Sequence, residues 1–312
     1  MHPSEENTMK RVTLFATLIL ITAGVAFGQN CNFAPAPAAA NFGSYSVFNV
    51  GSPQTSTPTF NVSCSSNGVQ VTVSFSRGIN SASFNPRTMK NGGGATLNYN
   101  LYVDAANTQI WGDGSGGTVS QTYTMGPSQS TLPAVVPIYA TVGLGADMAA
   151  GSYSDTITAT LSWIRGSNPT STTVNFDVTA TVLSECTISA FAINFGTYEP
   201  VVANAATPLD STATINVYCT KNTAGTVTLD NGLNFSGGNR RMKNAGGIFM
   251  TYEVYRDAPR TTVWNGVNVN SATSTSKNTA LGGGFIAYGR IPAAQDIPAG
   301  SYNDTLQSVV NY

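Results

Sequence analysis

From Thr172 to Val182 apolar and polar side chains alternate without a break. Val174, Phe176, Val178, Ala180 and Val182 face one way, and Thr173, Asn175, Asp177, Thr179 and Thr181 the other. Period two predicts a strand with one buried face. The same pattern runs through Ile157, Ala159, Leu161 and Trp163, and Arg165-Gly166-Ser167-Asn168-Pro169 makes the turn between the two stretches. Shorter alternating faces occur at Val69, Val71, Val73 and Phe75, at Val227 and Leu229, and at Leu306, Ser308, Val310 and Tyr312. Outside an amino-terminal apolar run no segment carries a helical period. Many short strands separated by Gly, Asn and Pro turns predict an all-β fold of immunoglobulin-like sandwiches.

Most of the pattern occurs twice. Asn41-Phe42-Gly43-Ser44-Tyr45 is answered by Asn194-Phe195-Gly196-Thr197-Tyr198, and Met89-Lys90-Asn91 by Met242-Lys243-Asn244. Tyr99, Tyr102 and Asp104 return as Tyr252, Tyr255 and Asp257, and Trp111 as Trp264. Ala150-Gly151-Ser152-Tyr153-Ser154-Asp155-Thr156 returns as Ala299-Gly300-Ser301-Tyr302-Asn303-Asp304-Thr305. Two tandem domains are expected, 29–182 and 183–312. The strand at 172–182 is the exception, because nothing follows Tyr312 to match it. The first domain is therefore expected to carry its own last strand. The second is expected to lack one, leaving core side chains and backbone groups open along Leu306, Ser308, Val310 and Tyr312.

Composition narrows the function. Charged residues make up 9% of the 312 residues and the net charge is −1, which argues against a nucleic-acid surface. The single histidine is His2, so imidazole catalysis and imidazole metal ligation are not expected. No nucleophile motif, phosphate loop or metal-ligand spacing appears, and neither an enzyme nor a cofactor is expected. Lys10 and Arg11, the apolar run from Val12 to Phe27 and the small residues before Gln29 read as a cleavable export signal over 1–28. Cys31 and Cys64 stand 33 apart, as do Cys186 and Cys219. In an exported chain that repetition implies one disulfide in each domain, stabilising each by roughly 3–4 kcal/mol. A four-cysteine metal site would need closer Cys pairs.

The two-cysteine spacing with N-F-G-x-Y, M-K-N-x-G-G, Y-x-x-Y-x-D and A-G-S-Y-x-D-T resembles the spore coat protein U domain family over nearly all of the mature chain. Members include subunits of archaic chaperone–usher pili. The resemblance implies a pilin domain that receives its missing strand from a neighbouring subunit, after a periplasmic chaperone has filled the gap and an outer-membrane usher has admitted it. The only donor-like strand ahead of Cys186 is 172–182, already inside the chain, and Gln29 and Asn30 leave no room for one ahead of Cys31. A tip adhesin is therefore expected at the end of a fimbria on the cell surface, exported through the periplasm and attaching to surfaces or a host receptor in biofilm formation.

The interval between Trp111 and Tyr139 is apolar where its counterpart is polar. Tyr123, Met125, Leu132 and Pro133, with Ile164, are expected to form an exposed adhesive patch. Two other readings stay open: a structural coat or matrix protein using the same tandem fold, and a carbohydrate-binding tip in which Asp113 near Trp111 takes part.

Overall fold

The structure, a computed structural model, describes residues 29–165 and 167–312. The export signal expected over 1–28 lies outside the described residues. Nearly all regular structure is β, with one short 3₁₀ turn at Leu281–Gly283.

The first sandwich opens with β1 (Cys31–Phe33), β2 (Ala40–Tyr45), β3 (Gln54–Ser56), β4 (Thr59–Phe60) and β5 (Val62–Cys64). It continues through β6 (Gln70–Phe75), β7 (Arg87–Asn91), β8 (Thr96–Tyr102), β9 (Gln121–Thr124), β10 (Val136–Pro137) and β11 (Tyr139–Val142). Two long strands finish it, β12 (Gly151–Arg165) and β13 (Asn168–Val182). The second sandwich holds β14 (Cys186–Ile188), β15 (Leu209–Ile215), β16 (Val217–Cys219), β17 (Ala224–Leu229) and β18 (Arg240–Lys243). It ends with β19 (Phe249–Tyr255), β20 (Asn270–Thr273), β21 (Phe285–Ile291) and β22 (Ser308–Asn311).

Strand β12 joins the two layers of the first sandwich. Its first half pairs with β7 at Tyr153 and Ser154, in the layer ordered β7-β8-β11-β3. Its second half pairs with β6 from Ala159 to Trp163, in the layer that β9 extends. The second sandwich repeats both layers, as β18-β19-β21-β15 and as β20-β17-β22. A strand can serve both layers because alternate side chains point to opposite faces, so Tyr153, Asp155, Ile157, Ala159, Leu161 and Trp163 all enter the core.

Each sandwich has its own core. In the first, Trp111 stacks against Phe75 at 4.5 Å, and Phe60 and Phe176 close around them. In the second, Trp264 takes the place of Trp111 beside Val227, Leu229 and Val254. Both indole N–H groups donate to a core strand carbonyl, Val73 O at 3.1 Å and Val227 O at 3.0 Å. The repeated aromatics are thus packing groups. Disulfides join Cys31 to Cys64 and Cys186 to Cys219 across the paired strands β1–β5 and β14–β16.

Candidate functional site

Strand β12 and its counterpart β22 meet their partners β6 and β17 in one register. Ala159 lies opposite Phe75 and Leu161 opposite Val73; Ser308 lies opposite Leu229 and Val310 opposite Val227. The other edge differs. In the first sandwich β13 runs antiparallel along all of β12, from Arg165 opposite Asn168 to Gly151 opposite Val182. In the second, no strand among the described residues pairs with the outer edge of 301–311.

Burial follows from that difference. Phe176, Val178, Ala180 and Val182 are buried and Val174 half-buried, so β13 supplies a full row of core side chains. Opposite them Tyr153, Asp155, Ile157, Ala159 and Leu161 are at most 1% exposed. Their counterparts Tyr302, Asp304, Leu306, Ser308 and Val310 keep the inward phase but are only half-buried, and Tyr312 is 60% exposed. Asn41-Phe42-Gly43-Ser44-Tyr45 forms β2 because it pairs in parallel with Val178–Val182. Asn194–Tyr198, with no such neighbour, forms no strand, and Phe195 and Tyr198 stay half-buried. Between this segment and Tyr302–Leu306 lies an open cleft of about 360 Å³, lined by Phe191, Ile193, Phe195 and Met242.

One end of the cleft is pinned by a duplicated aspartate. Asp155 accepts the Tyr99 hydroxyl at 2.6 Å and the backbone N–H groups of Ile79 and Asn80 at 3.0 and 3.1 Å. Asp304 accepts the Tyr252 hydroxyl at 2.8 Å and the Asn234 side-chain amide at 2.9 Å. Burial together with this carboxylate pushes both phenols up from their ordinary pKa. The approach demands glycine: a Cβ on Gly78 or Gly232, at φ +88° and +80°, would come within 1.9 or 2.2 Å of the aspartate oxygen. The latch fixes the start of the edge strand whether or not its outer side is covered.

A second duplicated feature, absent from the sequence reading, is a buried arginine. Arg87 Nη1 donates to Asn100 Oδ1 at 2.8 Å, and its other donors reach Ser76 O and Trp111 O. Arg240 holds the same place against Asp230 O and Trp264 O, but its Nη1 meets the Glu253 carboxylate. Burial lowers Arg87 from 12.5 to about 10. The signal was available: in a chain with so few charges, Arg87 and Arg240 stand two residues before the repeated Met-Lys-Asn.

The expected adhesive patch is not assembled. Met125 and Leu132 are 2% and 7% exposed and belong to the first core. Backbone pairing draws them in, because Met125 N–H donates to Val69 O and Leu132 N–H to Val62 O. Tyr123 is half-buried on β9, while Pro133 is exposed and Ile164 is 57% exposed. Asp113 accepts from Ser115, and the Trp111 indole beside it is buried. Another feature occupies the pole at the turn between β12 and β13: a cleft of about 580 Å³ lined by Trp163, Ile164, Pro169 and the polar side chains of Gln70, Thr72 and Ser171. No cluster of His, Cys, Asp and Glu among the described residues could hold a metal ion.

A sandwich closed by β13, followed by one whose corresponding edge has no paired strand among the described residues, is a tandem pilin-type fold. The Spore Coat Protein U domain matches residues 17–160 and 172–308, and the chain belongs to that family. Protein U of Myxococcus xanthus is 33% identical over 153 residues, spanning 45% of this chain and 84% of its own. A solved structure of Acinetobacter baumannii is similar over 91% of this chain and 100% of its own, with a TM-score of 0.53 and 19% identity. It is the CsuC–CsuE chaperone–tip adhesion subunit pre-assembly complex of archaic chaperone-usher Csu pili, and the likeness is one of fold.

Proposed function

We propose that this protein is the tip subunit of a chaperone–usher fimbria, with 29–182 as a self-complete adhesive domain and 183–312 as a pilin domain that receives its last strand from the next subunit. One observation carries the reading: β12 and the 301–311 segment sit in the same register on equivalent partners, yet among the described residues only β12 has a strand on its other edge. An open edge above a half-buried apolar row invites strand addition, because an incoming strand pairs the backbone and fills the cleft together. Before assembly a periplasmic chaperone occupies Leu306, Ser308, Val310 and Tyr312, and the usher exchanges it for the donor strand. The terminal position follows from β13 being consumed within its own sandwich. Gln29 and Asn30 are also engaged on their own domain, through Trp163 Nε1 to Gln29 O and Asn30 N–H to Ser65 Oγ. Adhesion to a surface or host receptor, and biofilm formation with it, belongs to the pole at the β12–β13 turn, where Ile164 and the 580 Å³ cleft lie.

The test is to express residues 29–312 with and without a fused copy of residues 164–182 after Tyr312. The fused strand is expected to yield a soluble monomer that melts cooperatively without a chaperone, whereas the plain chain is recovered only as a chaperone complex. A plain chain that is monomeric and equally stable on its own would refute the reading in favour of a self-contained coat protein.

A further inference from the structure

The two sandwiches meet through a small polar joint. Lys277 Nζ donates to Val47 O at 2.7 Å, and the Lys277 N–H donates to Asp147 Oδ1 at 2.9 Å. Ala150 N–H donates to Lys221 O at 3.3 Å, and the Ser46 hydroxyl donates to the Glu185 carboxylate. On the first sandwich this surface is the pole where β12 starts and β13 ends. Its loop hangs on one tyrosine: the Tyr45 hydroxyl donates to Gly143 O at 2.8 Å and accepts the Ala146 N–H at 3.2 Å.

The second sandwich builds the same pole at its far end. The Tyr198 hydroxyl donates to Pro292 O at 3.0 Å and accepts the Gln295 N–H at 3.0 Å. Asp296, directly after Gln295, therefore stands where Asp147 stands after Ala146, and it is exposed. The neighbouring loop, whose Asn204 carbonyl accepts the Ala294 N–H at 3.0 Å, carries Val201 and Val202, 77% and 81% exposed. The loop carrying them is not slack, because the Glu199 carboxylate accepts the N–H groups of Val201, Val202 and Ala203. A pole that binds a sandwich in the first copy is thus rebuilt, held in shape and left uncovered in the second.

Chain direction supplies the occupant. Strand β13 reaches the joint at Val182 opposite Gly151, and the next sandwich begins at Cys186. A donor strand in the same orientation on 301–311 leaves the cleft beside Gly300, so the body that follows it emerges over Asp296, Val201 and Val202. We infer that this pole is the docking face for the body of the strand-donating subunit, a sandwich of the same family that sets a lysine and its backbone N–H against Asp296 as Lys277 does against Asp147. This rests on the strand-acceptor reading above. It adds that successive subunits stack through a repeated head-to-tail joint and are not merely tethered by the inserted strand.

The test uses a chain in which residues 164–312 follow Tyr312 directly and a last copy of 164–182 closes the appended sandwich. Tyr312 holds the register position of Trp163, so the added strand enters the first open cleft in frame. Spin-label distance distributions are measured across both joints, with hydrogen exchange on the inserted strand. The second joint is expected to give a peak as narrow as the first. Asp296→Lys is expected to abolish that peak at the second joint alone, and Asp147→Lys at the first alone. A protected inserted strand with a broad second distribution, indifferent to Asp296→Lys, would overturn the docking face and leave the acceptor reading intact. An unprotected inserted strand would overturn both.

Discussion

The two buried arginines form a natural comparison, and they yield a quantitative prediction. Arg87 and Arg240 share one position and one set of carbonyl partners, but Arg240 faces Glu253 where Arg87 faces Asn100. Burial of an arginine without a carboxylate is costly: the fall of Arg87 from 12.5 to about 10 corresponds to a penalty of about 3 kcal/mol. The sign is fixed by the depressed folded value. At neutral pH the group is charged in both folded and unfolded chains, so the penalty is fully present there and shrinks only as pH rises through about 10. Asn100 leaves a second debt, since its Nδ2 and the Oγ1 of Thr141, its cross-strand neighbour, both lack a partner. Asn100→Glu would place a carboxylate against Arg87 and offer Thr141 an acceptor. The expected gain is about 1–3 kcal/mol, or roughly 2–12 °C in the melting of the first sandwich. The reverse change, Glu253→Asn, should weaken the second sandwich toward the lower end of the roughly 3–5 kcal/mol cost of orphaning a buried charge, because Glu253 keeps 19% exposure. Both are measured by hydrogen exchange on the strand-fused chain, which reads each sandwich separately. A lower stability for Asn100→Glu, or no change for Glu253→Asn, would refute the electrostatic account.

Other outcomes follow from the same structure. Phe176→Ala removes the ring that packs on Phe75 at 5.4 Å and should cost the first sandwich roughly 3–5 kcal/mol, seen as a lowered melting temperature; an unchanged melt would mean that β13 does not close the core. Met125→Ser and Leu132→Ser should each lower the same transition by roughly 2–4 kcal/mol, while Ile164→Ser on the exposed pole should stay within about 0.5 kcal/mol. Asp210 is held below the usual carboxylate range by its hydrogen bonds from Arg290, with Arg260 nearby. A depressed acid stabilises the fold above its unfolded value of 3.8, and that contribution is lost as pH falls through the lower folded value. Asp210→Asn should therefore lower stability modestly at neutral pH, and an acid-unfolding series should show the variant converging with the parent below about pH 4, its own pH dependence there being flatter.

The sandwich fold and the asymmetry between the copies were legible because β12 and β13 alternate cleanly, and a strict two-residue period can bury only one face. The open edge was legible for the same reason, as a pattern with no partner. What was not legible arises from pairing at a distance. Asn41–Tyr45 and Asn194–Tyr198 have nearly the same sequence, yet only the first is a strand, because β13 lies beside it. Met125 and Leu132 sit among Gly, Pro and Ser, which suggests a surface loop. Their backbones are hydrogen-bonded to Val69 and Val62, and this turns the side chains inward. The Arg87 and Arg240 pockets are built from backbone carbonyls on two segments of chain and a side chain from a third, and no local pattern announces such a convergence.

The long hairpin of β12 and β13 also has a mechanical meaning. Tension applied at Val182 along the strand, with the far pole held, does not peel β13 away one rung at a time. It loads the fifteen-residue ladder with β12 in shear, with the parallel rungs to β2 sharing the strain. Rupture then requires many hydrogen bonds to fail together, so the first sandwich would be the last part of the chain to yield under tension.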